Sequence, residues 1–183
     1  MIKCSRLDID GVLLFEHTIN KDSRGTFCEV YKQDKFLSCL PKNIRFVQEN
    51  ESFSKYGVLR GLHFQFEPYA QSKLVRVSYG EIQDVVVDIR KESPTFGHHL
   101  SVKLSKENGK QLFVPRGFAH GFLSLSNHSI VNYKVDNYYS KENESGILFN
   151  DSDLGIKWDI DSSNVIVGDK DLKYTKLNEA NLL

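Results

Sequence analysis

The stretch QDVVVDIRKESPTFGHHLSVKLSKENGKQLFV, from Gln83 to Val114, decides the fold class. It contains short segments rich in β-branched and aromatic residues, separated by turn-forming residues at 93–97 and 107–109. Runs of about four to eight such residues between turns are typical of β-strands. The segments are Gln83 to Arg90, Leu100 to Leu104 and Gln111 to Val114. Their regular spacing predicts an all-β sandwich or barrel.

The rest of the chain extends this pattern with little helix. A further strand is predicted from Ile130 to Tyr139. A short helix is predicted from Gln33 to Leu40, where Pro41 ends it, and a helical turn or two from Leu177 to Leu183. Because no linker, repeat or low-complexity segment interrupts the sequence, we expect one domain over residues 1–183.

The composition excludes several classes of protein. Lysine plus arginine and aspartate plus glutamate number 24 each, so no net positive field attracts nucleic acid or an anionic membrane. No apolar run reaches the roughly twenty residues that a bilayer span requires. The charged residues between Met1 and Val12 argue against a signal peptide. The three cysteines have no C-x2-C spacing, which favours a reducing cytoplasm over a disulfide framework or a zinc site.

A histidine in the middle of a predicted strand is the first candidate for chemistry. In a strand from Val58 to Gln65, side chains alternate between the two faces, which would separate Arg60 from His63. A bend at Gly61 would break that alternation and let both side chains reach one cavity. Taken alone, such a histidine is more often a hydrogen-bonded structural residue than a catalytic one.

Residues further along the chain strengthen the catalytic interpretation. A neutral histidine such as His63 is a suitable base at cytoplasmic pH. The ammonium group of Lys73 can hold the negative charge that develops on a substrate oxygen, and the phenol of Tyr133 can donate a proton. A base, an oxyanion stabiliser and an acid together favour proton abstraction next to a carbonyl. Reprotonation on the opposite face would make the reaction an epimerisation.

Two motifs resemble the paired signature motifs of the cupin superfamily. They are G-x5-H-x-Q over Gly57 to Gln65 and G-x5-P-x-G-x2-H over Gly109 to His120. A metal-binding cupin carries a second histidine where this chain has Gln65, and a glutamate where it has Lys73. The remaining histidines, His63 and His120, make a poor metal site on their own. A metal-dependent cupin and a non-catalytic sugar-binding barrel therefore stay as the weaker hypotheses.

A larger set of motifs runs in order along nearly the whole chain. They are Asp22-x-Arg24-Gly25-x-Phe27-x-Glu29, Gln48-x-Asn50-x-Ser52, the stretch from Gly57 to Gln65, Gln71-x-Lys73-Leu74-Val75-Arg76, Val87-Asp88-x-Arg90, Pro115-x-Gly117-Phe118-Ala119-His120-Gly121-Phe122 and Tyr133-Lys134. In combination they resemble the dTDP-4-dehydrorhamnose 3,5-epimerase family. That resemblance implies a cupin-type jelly-roll barrel with short flanking helices, working without metal or other cofactor as a homodimer. It also implies a dTDP-linked 4-keto-6-deoxyhexose as substrate, epimerised at C3 and C5 on the route to L-rhamnose. A related enzyme that epimerises only one carbon, or another nucleotide sugar, is the alternative.

The same resemblance implies roles for individual residues. His63 would be the base, Tyr133 the acid, Lys73 the group that stabilises the enolate, and Asp171 the carboxylate that orients the histidine. The implied substrate contacts are Arg24, Phe27, Glu29, Gln48, Glu49, Asn50, Arg60, Lys73, His120, Tyr139, Glu144 and Lys170, with Tyr139 stacking on the thymine. Because N-terminal strands cross between subunits in the family, we expect residues 24–29 to serve the partner's site.

The chain departs from the family pattern in two places. Residues 145–151 read SGILFND where members usually read Gly-Gly-Ile-Arg-Trp-Asn-Asp. Residues 172–175 read LKYT after the Lys-Asp pair, where a proline is common. Neither change touches the implied base or acid, so we expect proton transfer to survive. Any effect would fall on sugar recognition and on how the C-terminal tail is held.

Overall fold

The structure, a computed structural model, describes residues 2–182, which are dominated by β-strands. The strands are β1 (Ile2–Arg6), β2 (Leu13–His17), β3 (Asn20–Asp22), β4 (Gly25–Phe27), β5 (Gln48–Lys55), β6 (Val58–Gln65), β7 (Lys73–Tyr79), β8 (Glu81–Asp88), β9 (His99–Ser105), β10 (Lys110–Val114), β11 (Phe118–Ser124), β12 (His128–Val135), β13 (Glu144–Gly146) and β14 (Ile166–Val167). One short helix, α1 (Gln33–Leu37), and three 3-10 turns complete the regular structure of these residues. The turns are Lys141–Asn143, Ser162–Asn164 and Asp171–Lys173.

Two sheets make up the body of the protein. The first has the strand order β1-β2-β10-β7-β12-β5, and the second has the order β13-β6-β11-β8-β9. Neighbouring strands in both orders are antiparallel, and β14 adds to β6 in parallel. Strands β3 and β4 form a separate hairpin. The prediction of an all-β jelly-roll barrel is confirmed.

The main core lies between the two sheets. Val75 and Val131 from the first sheet pack with Val86 and Phe118 from the second, and each is at most 3% exposed. Alternate residues of a strand share a face, and each of these side chains belongs to the inward-facing set of its own strand. Full burial of such a side chain contributes about 1.5–3 kcal/mol. This apolar layer therefore fixes the distance between the two sheets. A polar pocket lies between the same sheets.

The helical predictions need correction. Helix α1 ends three residues before the end predicted at Leu40, because the backbone N–H of Cys39 donates to the carbonyl of Phe36 (3.0 Å) and tightens the chain into a turn. The segment after Leu177 forms turns rather than a helix as far as residue 182, and Leu183 lies outside the described residues. No helix within residues 2–182 has the length and apolar character needed to cross a membrane.

The predicted strand over residues 130–139 is too long at its C-terminal end. Strand β12 stops at Val135, where the carboxylate of Asp136 accepts a hydrogen bond from the backbone N–H of Ser72 (2.6 Å). The chain then leaves the sheet, and Tyr138 and Tyr139 follow as exposed residues of a loop. This loop brings an aromatic ring to the edge of the site.

Candidate active site

A pocket of about 540 Å³ opens between the two sheets. Its polar lining comes from both sheets and from the C-terminal segment, and consists of Ser52, Arg60, His63, Lys73, His120, Tyr133, Glu144, Lys170 and Asp171. An adjoining space of about 370 Å³ shares part of this lining and adds Gln48, Asn50 and Tyr139. The structure thus brings together every predicted catalytic residue and most of the predicted substrate contacts. The four that lie elsewhere are Arg24, Phe27, Glu29 and Glu49.

A close approach of two strands shapes the pocket floor. Gly61 in β6 has a φ of +128°, and a Cβ atom there would lie 2.5 Å from Cα of Gly121 and 2.8 Å from the carbonyl oxygen of His120. The pairing of β6 with β11 shifts register at this point. The bend predicted at Gly61 is therefore present, and Arg60 and His63 both line the pocket. Only glycine fits this backbone position.

His63 and Asp171 form a hydrogen-bonded pair. Nε2–H of His63 donates to Oδ1 of Asp171 (2.7 Å), and the backbone N–H of Gly61 donates to Oδ2 (3.1 Å). Burial alone would raise the pKa of Asp171, but the hydrogen bonds from His63 and Gly61 lower it overall. An ionised carboxylate can only accept, so it fixes the hydrogen on Nε2 and leaves the lone pair on Nδ1 of His63.

Lys73 places a positive charge beside this histidine. Its Nζ atom lies 3.4 Å from the backbone carbonyl oxygen of His63. Burial lowers the pKa of Lys73 to about 8, and the negative charges of Asp84 and Glu144 oppose that shift. The amine is therefore largely protonated at neutral pH. A charge in a buried site acts more strongly on a developing oxyanion than one in water.

Tyr133 approaches the pocket from the other sheet. It lies on β12, between Asn50 of β5 and Val75 of β7, whereas His63 lies on β6 of the facing sheet. Burial raises the pKa of Tyr133, so the phenol keeps its proton at neutral pH. The site therefore holds the imidazole of His63 and the phenol of Tyr133 on opposite walls.

A carboxylate at the pocket rim links three predicted substrate contacts. Glu144 accepts hydrogen bonds from the hydroxyl of Tyr139 (2.7 Å) and from Nζ of Lys170. Burial would raise the pKa of Glu144, but these two bonds lower it overall. The ring of Tyr139 is 52% exposed, which leaves a face free for an aromatic ligand.

Gln65, which stands at a cupin metal-ligand position, is occupied by backbone contacts. Its amide nitrogen donates to the carbonyls of Tyr69 (2.6 Å) and Tyr138 (3.2 Å), and its amide oxygen accepts from the N–H of Ser140 (2.7 Å). These bonds hold the loop that carries Tyr139. Among residues 2–182, no group of three or more His, Cys, Asp or Glu side chains is placed to hold a metal ion.

Three predicted contacts lie outside the pocket of their own protomer. Arg24, Phe27 and Glu29 belong to the β3–β4 hairpin and the segment after it, and none of them lines the pocket. Phe27 is 71% exposed, Arg24 forms an ion pair with Asp22 at the hairpin tip, and the carboxylate of Glu29 accepts from Nζ of Lys35. These three side chains therefore do not reach a substrate bound in the pocket of their own chain.

Glu49 is also placed away from the pocket. Side chains alternate along β5, so Gln48 and Asn50 face the site while Glu49 points to the outer face of the first sheet. There its carboxylate accepts a hydrogen bond from Nζ of Lys134 (2.7 Å). Glu49 therefore does not line the pocket of its own protomer.

Reasoning from the sequence missed two residues of the site. The carboxylate of Asp84 accepts from Nε2–H of His120, with 3.0 Å to each of its oxygens. The ring of Tyr174 packs edge-on against His63, with centroids 5.8 Å apart. Asp84 had a detectable signal, since it is a charged residue directly before three valines of a buried strand. Tyr174 had none, because only tertiary packing brings it to the histidine.

Comparison with known proteins identifies the family. The family model described as dTDP-4-dehydrorhamnose 3,5-epimerase matches residues 6–179. The chain is 48% identical over 175 residues to the dTDP-4-dehydrorhamnose 3,5-epimerase of Shigella flexneri, which covers 96% of both chains. The chain belongs to this family. It is therefore an epimerase, as the sequence motifs predicted.

Solved structures of other epimerases agree with the fold. One is a dTDP-6-deoxy-D-glucose-3,5-epimerase from Legionella pneumophila in complex with dTDP-4-keto-L-rhamnose, with 41% identity, a TM-score of 0.93 and coverage of 98% of this chain and 94% of that one. Another is a double mutant of a 3′-monoepimerase from Streptomyces bikiniensis in complex with dTDP, with 30% identity, a TM-score of 0.87 and coverage of 94% and 86%. The epimerase described here shares their architecture over nearly its whole length.

Proposed function

We propose that this protein converts dTDP-4-keto-6-deoxyglucose to dTDP-4-keto-L-rhamnose by epimerising C3 and C5, without a metal or other cofactor. The observation that carries the proposal is the placement of His63 and Tyr133 on opposite walls of one pocket, with Lys73 beside the histidine. Identities of 48% and 52% to two relatives named as 3,5-epimerases support two carbons over one. The monofunctional alternative is decided by the experiment below.

The reaction begins with proton abstraction by His63. Its Nδ1 takes the proton from a carbon next to the ketone, and the electron pair of the broken C–H bond moves to the C4 oxygen as an enolate. The ammonium of Lys73 stabilises that oxyanion, which is the task a metal ion performs in other sites. Asp171 stabilises the imidazolium that forms on His63. The role of Lys73 agrees with an amine that is largely protonated at neutral pH.

Inversion is completed by Tyr133. Its phenol donates a proton to the opposite face of the same carbon, the enolate collapses to the ketone, and the configuration changes. Solvent then removes the proton from His63 and restores the one on Tyr133, so the enzyme returns to its starting state. A raised pKa of Tyr133 suits this role, because the phenol is fully protonated before each turnover.

The nucleotide part of the substrate is proposed to lie at the rim. Nε–H of Arg60 donates to the hydroxyl of Ser54 (3.1 Å), and Nη2–H donates to the carbonyl of Phe53 (3.2 Å). These bonds hold the guanidinium in place and leave further N–H groups for a diphosphate. Lys170 adds a donor inside the pocket, His120 lines it as a further polar contact, and Tyr139 offers its exposed ring to thymine.

We propose that the site is completed by a second copy of the chain, which supplies Arg24, Phe27 and Glu29. Support comes from a row of apolar side chains on the outer face of the first sheet, where Ile130 lies between Phe53 and Tyr79. Phe53 and Tyr79 are 55% and 58% exposed. A contiguous apolar patch of this kind marks a protein interface, and a two-fold axis would apply it to both subunits.

The cytoplasm is the compartment that we propose for this enzyme. Cys4, Cys28 and Cys39 are all free thiols in the structure. Cysteines of this kind suit a reducing compartment. Fractionation of the native cells, with detection by an antibody, tests the location.

Solvent exchange tests the proposed reaction directly. Incubation with dTDP-4-keto-6-deoxyglucose in D2O is expected to introduce deuterium at both C3 and C5, with formation of the L-rhamno ketone. Proton NMR over time measures each carbon separately. Deuterium at one carbon only would establish the monofunctional alternative. Absence of deuterium at both carbons, in folded protein, would contradict the proposal.

Complementation between two inactive variants tests the shared site. Arg24→Ala and His63→Ala are each expected to lose activity, yet co-expression should restore it. Half of the dimers formed at random are mixed, and each mixed dimer has one intact site, so about a quarter of wild-type activity should return. Light scattering of the purified protein gives the oligomeric state. No recovery in confirmed mixed dimers would place Arg24 in its own protomer's site or outside both.

A further inference from the structure

Asp84 is a fully buried carboxylate with an unusual set of neighbours. It lies in the middle of β8 and has no solvent exposure. Its two oxygens accept from Nε2–H of His120 at 3.0 Å each. Strand β11, which carries His120, is paired with β8 on one side and with β6 on the other, where His120 is opposite His63. Two histidine–carboxylate pairs therefore lie side by side at the base of the pocket.

A second aspartate on the same strand shows what a purely structural carboxylate looks like. Asp88 is equally buried, but it is neutralised by Arg90, with Nη2 at 2.6 Å, and accepts further bonds from the hydroxyls of Ser93 (2.6 Å) and Thr95 (2.7 Å). A buried charge without such compensation is costly. Within residues 2–182 Asp84 forms no ion pair with an arginine, and the side chain that bonds to it is His120 of the pocket.

The buried cation of the same pocket is Lys73, which lines it together with His120. The attraction of Asp84 is the strongest effect opposing the burial that lowers the pKa of Lys73, ahead of the attraction of Glu144. Burial also lowers the pKa of His120, which favours the neutral ring, and the charge of Lys73 adds to that shift. Titratable groups around Lys73 lie on five strands and in the C-terminal segment. They are Arg60 and His63 on β6, Asp84 on β8, His120 on β11, Tyr133 on β12, Glu144 on β13, and Lys170 and Asp171 after β14.

We propose that Asp84 is a positioning residue of the epimerase, which keeps Lys73 in its ammonium form and holds His120 with Nε2–H turned away from the substrate. Nδ1 of His120 is then left as a hydrogen-bond acceptor for a substrate hydroxyl. The inference rests on the proposed role of Lys73 in stabilising the enolate. Asp84 acts through its neighbours, since it does not line the pocket itself.

The pH dependence of Asp84→Asn tests the proposal. Asparagine keeps the shape and can still accept from His120, but it removes the charge that raises the pKa of Lys73. That pKa should fall, so the ammonium is lost at lower pH. We expect the alkaline limb of kcat for deuterium incorporation to move down by about one pH unit or more. That shift lowers the rate about tenfold above the limb and less near pH 6.5, while KM stays close to the wild-type value.

Asp88→Asn is the matched control. It removes a buried charge from the same strand, away from the pocket, so it should lower the melting temperature and leave the alkaline limb at its wild-type position. A rate for Asp84→Asn that falls equally at every pH, or does not fall, would overturn the role assigned to Asp84. If the wild type is active in the same assay, that result contradicts only the role of Asp84 and not the proposed epimerase function.

A measurement on the wild-type protein covers the case in which Asp84→Asn does not fold. 15N-histidine NMR, with the signals of His120 assigned by their loss in His120→Gln, reports which ring nitrogen carries the hydrogen. We expect the Nε2–H form near neutral pH. The Nδ1–H form, or a ring that titrates as a free imidazole, would contradict the proposed pairing with Asp84.

Discussion

Replacing His63 by alanine is expected to abolish deuterium incorporation at both C3 and C5 while the protein stays folded. Loss of a positioned general base lowers a rate by about 10²–10⁴-fold, and here the same base would serve both carbons. Lys73 and Tyr133 would remain but would have no group to start the reaction. Proton NMR of the substrate in D2O gives the exchange rate at each carbon. A folded variant that still exchanges either carbon would remove His63 from the role of base at that position.

Two comparisons separate catalysis from folding in this variant. The substitution leaves the carboxylate of Asp171 without its imidazole partner, which costs about 1–3 kcal/mol of the free energy of unfolding. The melting temperature should fall, but circular dichroism at 25 °C should match the wild type. His98→Ala, which removes an exposed histidine outside the pocket, should keep both wild-type stability and wild-type exchange.

The parts of the fold that depend on short-range patterns could be predicted from the sequence. The runs at 83–90, 100–104 and 111–114 correspond to β8, β9 and β10, because alternation and turn chemistry are local. The bend at Gly61 was predictable for the same reason. The end of β12 was not, because it is set by Asp136 bonding to Ser72, a contact 64 residues apart in sequence.

The contacts that the sequence could not show are those set by the pairing of distant strands and segments. Asp171 reaches His63 across 108 residues, and only the family resemblance suggested that pair. Glu49 was predicted to contact substrate, yet the alternation of β5 directs it to the outer face, and no motif states which face of a strand is the inner one. Asp84 and Tyr174 became visible as parts of the site only when the pairing of β8 with β11 and the course of the C-terminal segment were known.

Replacing Tyr133 by phenylalanine is expected to separate exchange from inversion. His63, Lys73 and Asp171 stay in place, so a proton is still taken from the carbon next to the ketone. Without a phenol on the opposite wall, the enolate can regain a proton only from the imidazolium, on the face it left. The imidazolium exchanges its proton with D2O, so the recovered substrate should carry deuterium in its original configuration. Product formation should fall by about 10²-fold or more.

Mass spectrometry and NMR of the recovered substrate distinguish the outcomes. The ring of phenylalanine fills the same space in the wall, so any loss of stability comes from the missing hydroxyl alone. Wild-type product formation would show that another group, or water, delivers the second proton. Loss of both exchange and product in folded Tyr133→Phe would mean that the phenol is needed before the proton leaves. Deuterated substrate without product is the result that a base and an acid on facing sheets require, because each wall then controls one face of the sugar.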